Sequence, residues 1–127
     1  MVGHTGVVSA VKLAVEAVDE NLGRIMEALK KANGILVCSD DHGNADDMYE
    51  LDKKTGALVL DEQGRRKSKT AHSLNPVPAI VYDPSGASNA RLADAPGAGI
   101  ASLAATCITL LGFQPPEDYA ASLVEVG

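Results

Sequence analysis

Residues Cys38 to Met48 read CSDDHGNADDM. Asp40, Asp41, His42, Asp46 and Asp47 crowd together there, with Gly43 and Asn44 in the middle. Neighbouring like charges repel, so such a turn is either solvated by water or faces something positive. What precedes it bears on that choice. Ile35 to Ser39 is a short, continuous apolar run, the pattern of a buried strand in an α/β sheet. The acidic turn then falls at the strand's carboxyl end, where open α/β sheets bind their ligands.

Working outward, Val8, Val11, Val15, Val18, Leu22, Ile25 and Leu29 recur at alternating steps of three and four. They form one face of a long helix, with Lys12, Glu16, Asp19, Glu20 and Arg24 on its wet side. Thr5 is the expected N-cap and Asn33-Gly34 the expected stop. The spacing also fits a coiled-coil seam, but the run is short and carries Gly23 in its interior, so a helix packed on a sheet is the better reading. Leu51 to Lys69 is polar, with turn signals at Thr55-Gly56 and Gln63-Gly64, and predicts a surface hairpin or excursion. PVPAIVYD (Pro76 to Asp83) predicts a second buried strand, begun by prolines that a strand start tolerates. Pro84 to Gly99 reads as a long loop. Ile100, Leu103, Ala104, Cys107, Leu110 and Leu111 give a second helical face closed by Gly112. The fold class is α/β, and residues 1–127 have the size of one domain.

Composition narrows the function. Hydrophobic residues make up 46%, which argues against a disordered chain, and aromatics only 3%, which predicts an aliphatic core. The net charge of −6 argues against nucleic acid or an anionic membrane as partner. A small phosphorylated substrate stays open, because a metal ion inverts the local charge. Cys38 and Cys107 lack CxxC spacing and sit in apolar runs, so reduced, buried thiols in a cytoplasmic protein are expected. Neither a membrane span nor a leader peptide is expected.

The chemistry-bearing residues fall at element boundaries. His4 precedes the first helix, His42 sits in the acidic turn, and His72 precedes the second strand, places from which turns aim side chains into a common cleft. Each histidine taken alone is more often structural. Asp41 beside His42 alters that balance, since carboxylate plus imidazole suits zinc, manganese or iron. Gly43 would let the turn adopt a strained backbone. Asp46 and Asp47 read more simply as solvated carboxylates at the start of a helix beginning near Ala45. The EF-hand, HExxH, GxSxG and Walker A patterns are absent.

MVGHTG (Met1 to Gly6), DDHGNADDM (Asp40 to Met48) and TAHSLNPVPAIV (Thr70 to Val81), in that order and spacing, resemble the C-terminal part of cofactor-independent phosphoglycerate mutases. Those enzymes belong to the alkaline phosphatase superfamily. The closing LLGFQPPEDYAASLVEV extends the resemblance to nearly the whole chain and looks most like the plant and trypanosomatid branch. The resemblance implies a partial alkaline-phosphatase-like sheet flanked by helices, from the metal-binding domain of the enzyme. It also implies interconversion of 3-phosphoglycerate and 2-phosphoglycerate, a glycolytic step, through a phosphoserine and two divalent ions. Manganese is the first choice, with zinc, cobalt and magnesium as alternatives. His4 and His72 would belong to one metal site, and Asp41 and His42 to the other.

The resemblance also implies what is missing. The aspartate expected just before Met1, a further metal-binding aspartate, the nucleophilic serine and the substrate-binding arginines would lie outside this chain. None of its own serines occupies the nucleophile motif. Asp40 stands where the family usually carries a small residue, and Ser102 and Ala105 stand where many members carry Asp and Pro. Alone, the chain is expected to bind metal weakly, to lack activity, and to self-associate or leave Leu51 to Lys69 partly disordered. Another phosphomutase or metal-dependent phosphatase of the superfamily, and a non-catalytic metal-binding remnant, are the alternatives.

Overall fold

A computed structural model describes all of residues 1–127. The chain divides into two compact units, Met1–Ile25 with Asp40–Val77, and Met26–Ser39 with Pro78–Gly127. Helix α1, Val8–Ala32, begins in the first and ends in the second.

In the first unit, α1 forms where the three-four spacing predicts it. Its polar side carries exposed ion pairs, Lys12 with Glu16 and Arg24 with Glu20, each worth little by itself. The expected cap is displaced. Val2–Thr5 forms a short 3-10 turn, and the Thr5 hydroxyl accepts from the Val7 N–H while donating to Val2 O. Thr5 thus closes the preceding turn and does not cap α1. Leu51 to Lys69 makes two reversals at Gly56 and Gly64, both at positive φ. Single bridges join Leu51 to Leu58, Leu60 to Arg66 and Tyr49 to Ser68. Asp52 and Asp61 accept backbone N–H groups within these turns, the local bonding that favours Asp at reversals. The buried apolar side chains of this unit are Val11 and Met48.

In the second unit, α1 ends at Asn33, which takes the left-handed conformation at φ 52°. The Gly34 N–H then reaches back to Leu29 O at 3.0 Å, the six-to-one bond of a Schellman stop. The asparagine, and not the glycine, occupies the left-handed position. Strand β1, Leu36–Ser39, pairs antiparallel with β2, Ala79–Tyr82, from Leu36 opposite Tyr82 to Ser39 opposite Ala79. The two predicted strands therefore exist, but β1 is only half-buried and its sheet holds two strands.

The remainder differs more from expectation. Part of the predicted loop forms β3, Ala90–Leu92, which pairs antiparallel with the unforeseen β4, Val124–Val126. Helix α2, Ser102–Leu110, stops with Gly112 at φ 82° and a Phe113 N–H to Ile108 O bond. It buries Ser102, Ala105 and Thr106, whereas Ala104 and Cys107 of the predicted apolar face are exposed. The expected burial of Cys107 is corrected with it. Thr106 decides this orientation. Its hydroxyl donates to Ser102 O at 2.7 Å and accepts the Leu123 N–H at 2.9 Å, so it ties α2 to the segment leading into β4. No helix is long and apolar enough to cross a membrane.

Candidate metal centre

Three segments of the first unit meet around the acidic turn: the 3-10 turn carrying His4, the loop from Asp41 to Asp47, and the segment from Thr70 to Asn75. All four residues singled out from the sequence, His4, Asp41, His42 and His72, lie on them. The His42 and His72 rings stack with centroids 3.4 Å apart and planes 13° from parallel. His4 lies 5.1 Å from His72 and 6.4 Å from His42. Imidazoles separated by dozens of residues are thus gathered into one cluster.

The ring nitrogens are oriented by main-chain carbonyls. His4 Nδ1 is 2.7 Å from Thr70 O. A carbonyl only accepts, so this nitrogen is the donor in the contact. His42 Nδ1 makes a longer contact of 3.3 Å with Gly43 O. His42 Nε2 faces Asp41 Oδ1 at 3.6 Å, and the Asp41 carboxylate is 87% exposed. No three His, Cys, Asp or Glu side chains converge on one point in ligating geometry; the donors are adjacent without closing a site among themselves.

Glycine and short polar side chains hold these segments together. Gly43 is buried and pairs with Ser73, whose N–H donates to Gly43 O at 2.7 Å. A β-carbon at position 43 would lie 2.2 Å from Ser73 Oγ and 2.8 Å from Asp46 Oδ1. Close approach, not a strained backbone, is what requires glycine here. Gly3 serves similarly, since a β-carbon there would run into the Asn44 side-chain oxygen. Asn44 Nδ2 donates to Ala71 O at 3.3 Å, and Ser68 Oγ donates to Gly6 O at 2.9 Å.

The acidic cluster divides by role. Asp46 and Asp47 begin no helix; residues 44–47 form a turn in which the Asp47 N–H meets Asn44 O. Asp46 accepts from Asn75 Nδ2 and from Ser73 Oγ, and these donors, Asn75 first, hold its carboxyl below the usual carboxylate value. Asp47 pairs with Lys69. So these two carboxylates face protein donors, neutral for Asp46 and charged for Asp47, which tie the acidic loop to the segment on either side of His72. Asp41, unlike Asp46 and Asp47, pairs with an imidazole, that of His42. The sequence reading missed Gly3, Asn44, Lys69, Ser73 and Asn75. For Gly3, Asn44, Ser73 and Asn75 the signal was a short polar or glycine neighbour within three residues of a histidine; Lys69 carried no such signal.

The metalloenzyme superfamily matches residues 1–115, and the chain belongs to that superfamily. Among its relatives, the 2,3-bisphosphoglycerate-independent phosphoglycerate mutase of Trypanosoma brucei brucei is 43% identical over 127 residues, covering 99% of this chain and 23% of the relative. That of Mesembryanthemum crystallinum is 42% identical, with 99% and 22% covered. Among solved structures, Leishmania mexicana phosphoglycerate mutase, crystallised at low cobalt concentration, superposes with a TM-score of 0.87 at 42% identity. That match covers 98% of this chain and 23% of the other. The chain therefore spans about a quarter of the length of the mutases it resembles, and the alkaline-phosphatase-like α/β fold expected from the sequence is the one observed.

Proposed function

We propose that this chain supplies part of the divalent-metal centre of a phosphoglycerate mutase that interconverts 3-phosphoglycerate and 2-phosphoglycerate. The observation that carries this reading is the gathering of His4, His42 and His72, from three separate segments, within 6.4 Å of one another. The donor set fits. His4 and His42 turn Nδ1 toward carbonyls, which leaves Nε2 free to ligate, the usual arrangement of metal-bound histidine. His42 Nε2 and an Asp41 carboxylate oxygen stand 3.6 Å apart, and a cation beside them would make ligands of both. His4 and His72 would hold one ion and Asp41 and His42 the other, each completed by groups from outside the chain. Manganese suits the imidazole and carboxylate mixture; zinc, cobalt and magnesium compete for it.

Bound divalent ions would offset the charge of the transferred phosphoryl group and align its oxygens. The residues of this chain set where those ligands stand. Asp46, Ser73 and Asn75 fix the spacing of the His42 and His72 loops, and Thr70 orients His4. The nucleophile would come from the longer protein, so the isolated chain is inactive and its exposed apolar surface favours self-association. The protein would work in the cytoplasm on a soluble phosphoglycerate, without nucleic acid or membrane partners.

Manganese titration by calorimetry tests the reading. Weak binding to the 127-residue chain, abolished by His42→Ala and by Asp41→Ala, is expected. Binding indifferent to both changes refutes it.

A further inference from the structure

We propose that Asn44 is a positioning residue of the candidate metal centre, a clasp whose side-chain amide holds the His4 and His72 segments at their spacing; this rests on the metal-centre reading of the chain. Asn44 lies in the acidic turn, two residues after His42. Its Nδ2 donates to Ala71 O at 3.3 Å, and Ala71 immediately precedes His72. Its Oδ1 rests against Gly3, so closely that a β-carbon there would collide with it, and Gly3 immediately precedes His4. One short side chain thus touches the residue before each of two histidines, from a turn that carries the third.

The remaining ties between these segments are divided. Bonds from Gly43 and Asp46 end on Ser73 and Asn75, which follow His72. Bonds at Thr70 and Ser68 join the His4 turn to the segment before His72. Asn44 spans both sets. Its amide also suits the place chemically. Ala71 O accepts, so the group facing it has to donate, while the group against Gly3 has to fit where no side chain stands. Aspartate has the same shape and no donor; at position 44 it would set a carboxylate oxygen against Ala71 O. That carboxylate would also add negative charge near a bound cation, which by itself tightens binding. The aspartate variant therefore separates the two roles: a clasp is weakened by it, whereas a group acting on the ion through charge is improved.

The experiment compares the 127-residue chain with Asn44→Ala, Asn44→Asp, Gly3→Ala and the Asn44→Ala/Gly3→Ala pair. The nuclear Overhauser contact between the His4 and His72 rings is measured without metal, where the centroids lie 5.1 Å apart, and manganese affinity is measured by calorimetry. Each single change is expected to weaken the ring contact and to lower manganese affinity about tenfold, as loss of a group that orients ligands does. In the pair, the shorter residue at 44 leaves room for the methyl group at 3, so it should bind manganese more tightly than Gly3→Ala alone.

Manganese binding in Asn44→Asp as tight as in the parent, or tighter, overturns the proposal. So does a ring contact that survives Asn44→Ala, since Asn44 then does not hold the histidines. Should Gly3→Ala fail to fold, Asn44→Asp, which keeps the parent's shape, carries the test. If the parent binds no manganese while its ring contact depends on Asn44 in this way, the metal-centre reading is at fault and the clasp is not.

Discussion

Replacing Gly43 by alanine is the most direct test of how the candidate centre is held together. The added β-carbon would stand 2.2 Å from Ser73 Oγ and 2.8 Å from Asp46 Oδ1, closer than non-bonded atoms approach. Ser73 is buried, so the hydroxyl has two responses. It stays and the loops separate, or it rotates and loses its acceptor. Overpacking a tight site costs about 1–3 kcal/mol, and a buried hydroxyl without a partner costs about 1–3 kcal/mol, so either route predicts roughly 2 kcal/mol. The assay is amide hydrogen exchange at Ser73, whose N–H bonds Gly43 O. At 1.4 kcal/mol per tenfold, exchange should accelerate about 30-fold. Ser73→Ala removes the clashing atom. The Gly43→Ala/Ser73→Ala pair should therefore be less destabilised than the sum of the single changes, with a coupling of about 1 kcal/mol or more. Exchange in Gly43→Ala within twofold of the parent, or strict additivity in the pair, would refute the close-approach argument.

Three further outcomes are expected. Thr106→Val removes the acceptor of the Leu123 N–H and should cost about 1–3 kcal/mol; Thr106→Ser should restore most of it, as read from exchange at Leu123. Asn33→Ala, forced to keep φ near 52°, should weaken the end of α1 by about 1–2 kcal/mol, while Asn33→Gly should be neutral or better, with protection of the Gly34 amide as the measure. Hydrogen bonds from Asn75 and Ser73 hold Asp46 below its ordinary value of 3.8, so its contribution is complete above that pH and is lost as pH falls through the lower, folded value. Protection of the Ser73–Asn75 amides, corrected for intrinsic exchange, should persist at pH 5 and decline below pH 4, and Asp46→Asn should abolish that dependence.

The elements most legible in the sequence were those whose pattern is local. Val8 to Leu29 repeats at helical spacing, and Ile35 to Ser39 and Pro76 to Asp83 are compact apolar runs bounded by turn residues, so α1, β1 and β2 emerged close to their observed limits. The histidines were legible because each sat at an element boundary. The burial of α2 was not legible. Hydrophobicity pointed to Leu103, Ala104 and Cys107, but Thr106 satisfies a backbone donor seventeen positions away, and no sequence window contains both partners. β3 and β4 were missed for a related reason: three-residue strands separated by a whole helix carry no periodicity of their own. The acidic turn was misread at Asp46 and Asp47, because charge alone does not distinguish a carboxylate that faces solvent from one that binds Ser73, Asn75 or Lys69.

The division of labour among the carboxylates bears on how tightly the chain would hold metal. With Val11 and Met48 as the buried apolar side chains of the first unit, hydrophobic packing does little to fix the three loops, and the net stability of such a small unit is slim. Their spacing rests on a few hydrogen bonds made by Asp46, Ser73, Asn75, Asn44 and Thr70, each contributing about 1 kcal/mol net. Metal binding to the free chain then has to meet the ordering cost of those loops, and the apparent affinity falls by the fraction of molecules in which His42, His72 and His4 are together. Any contact that holds the loops at their spacing raises that fraction without touching a ligand. Asn75→Ala, which removes a donor to Asp46 and no candidate ligand, should therefore weaken manganese binding to the chain, and an affinity unchanged in that variant would refute loop ordering as the limit on metal binding.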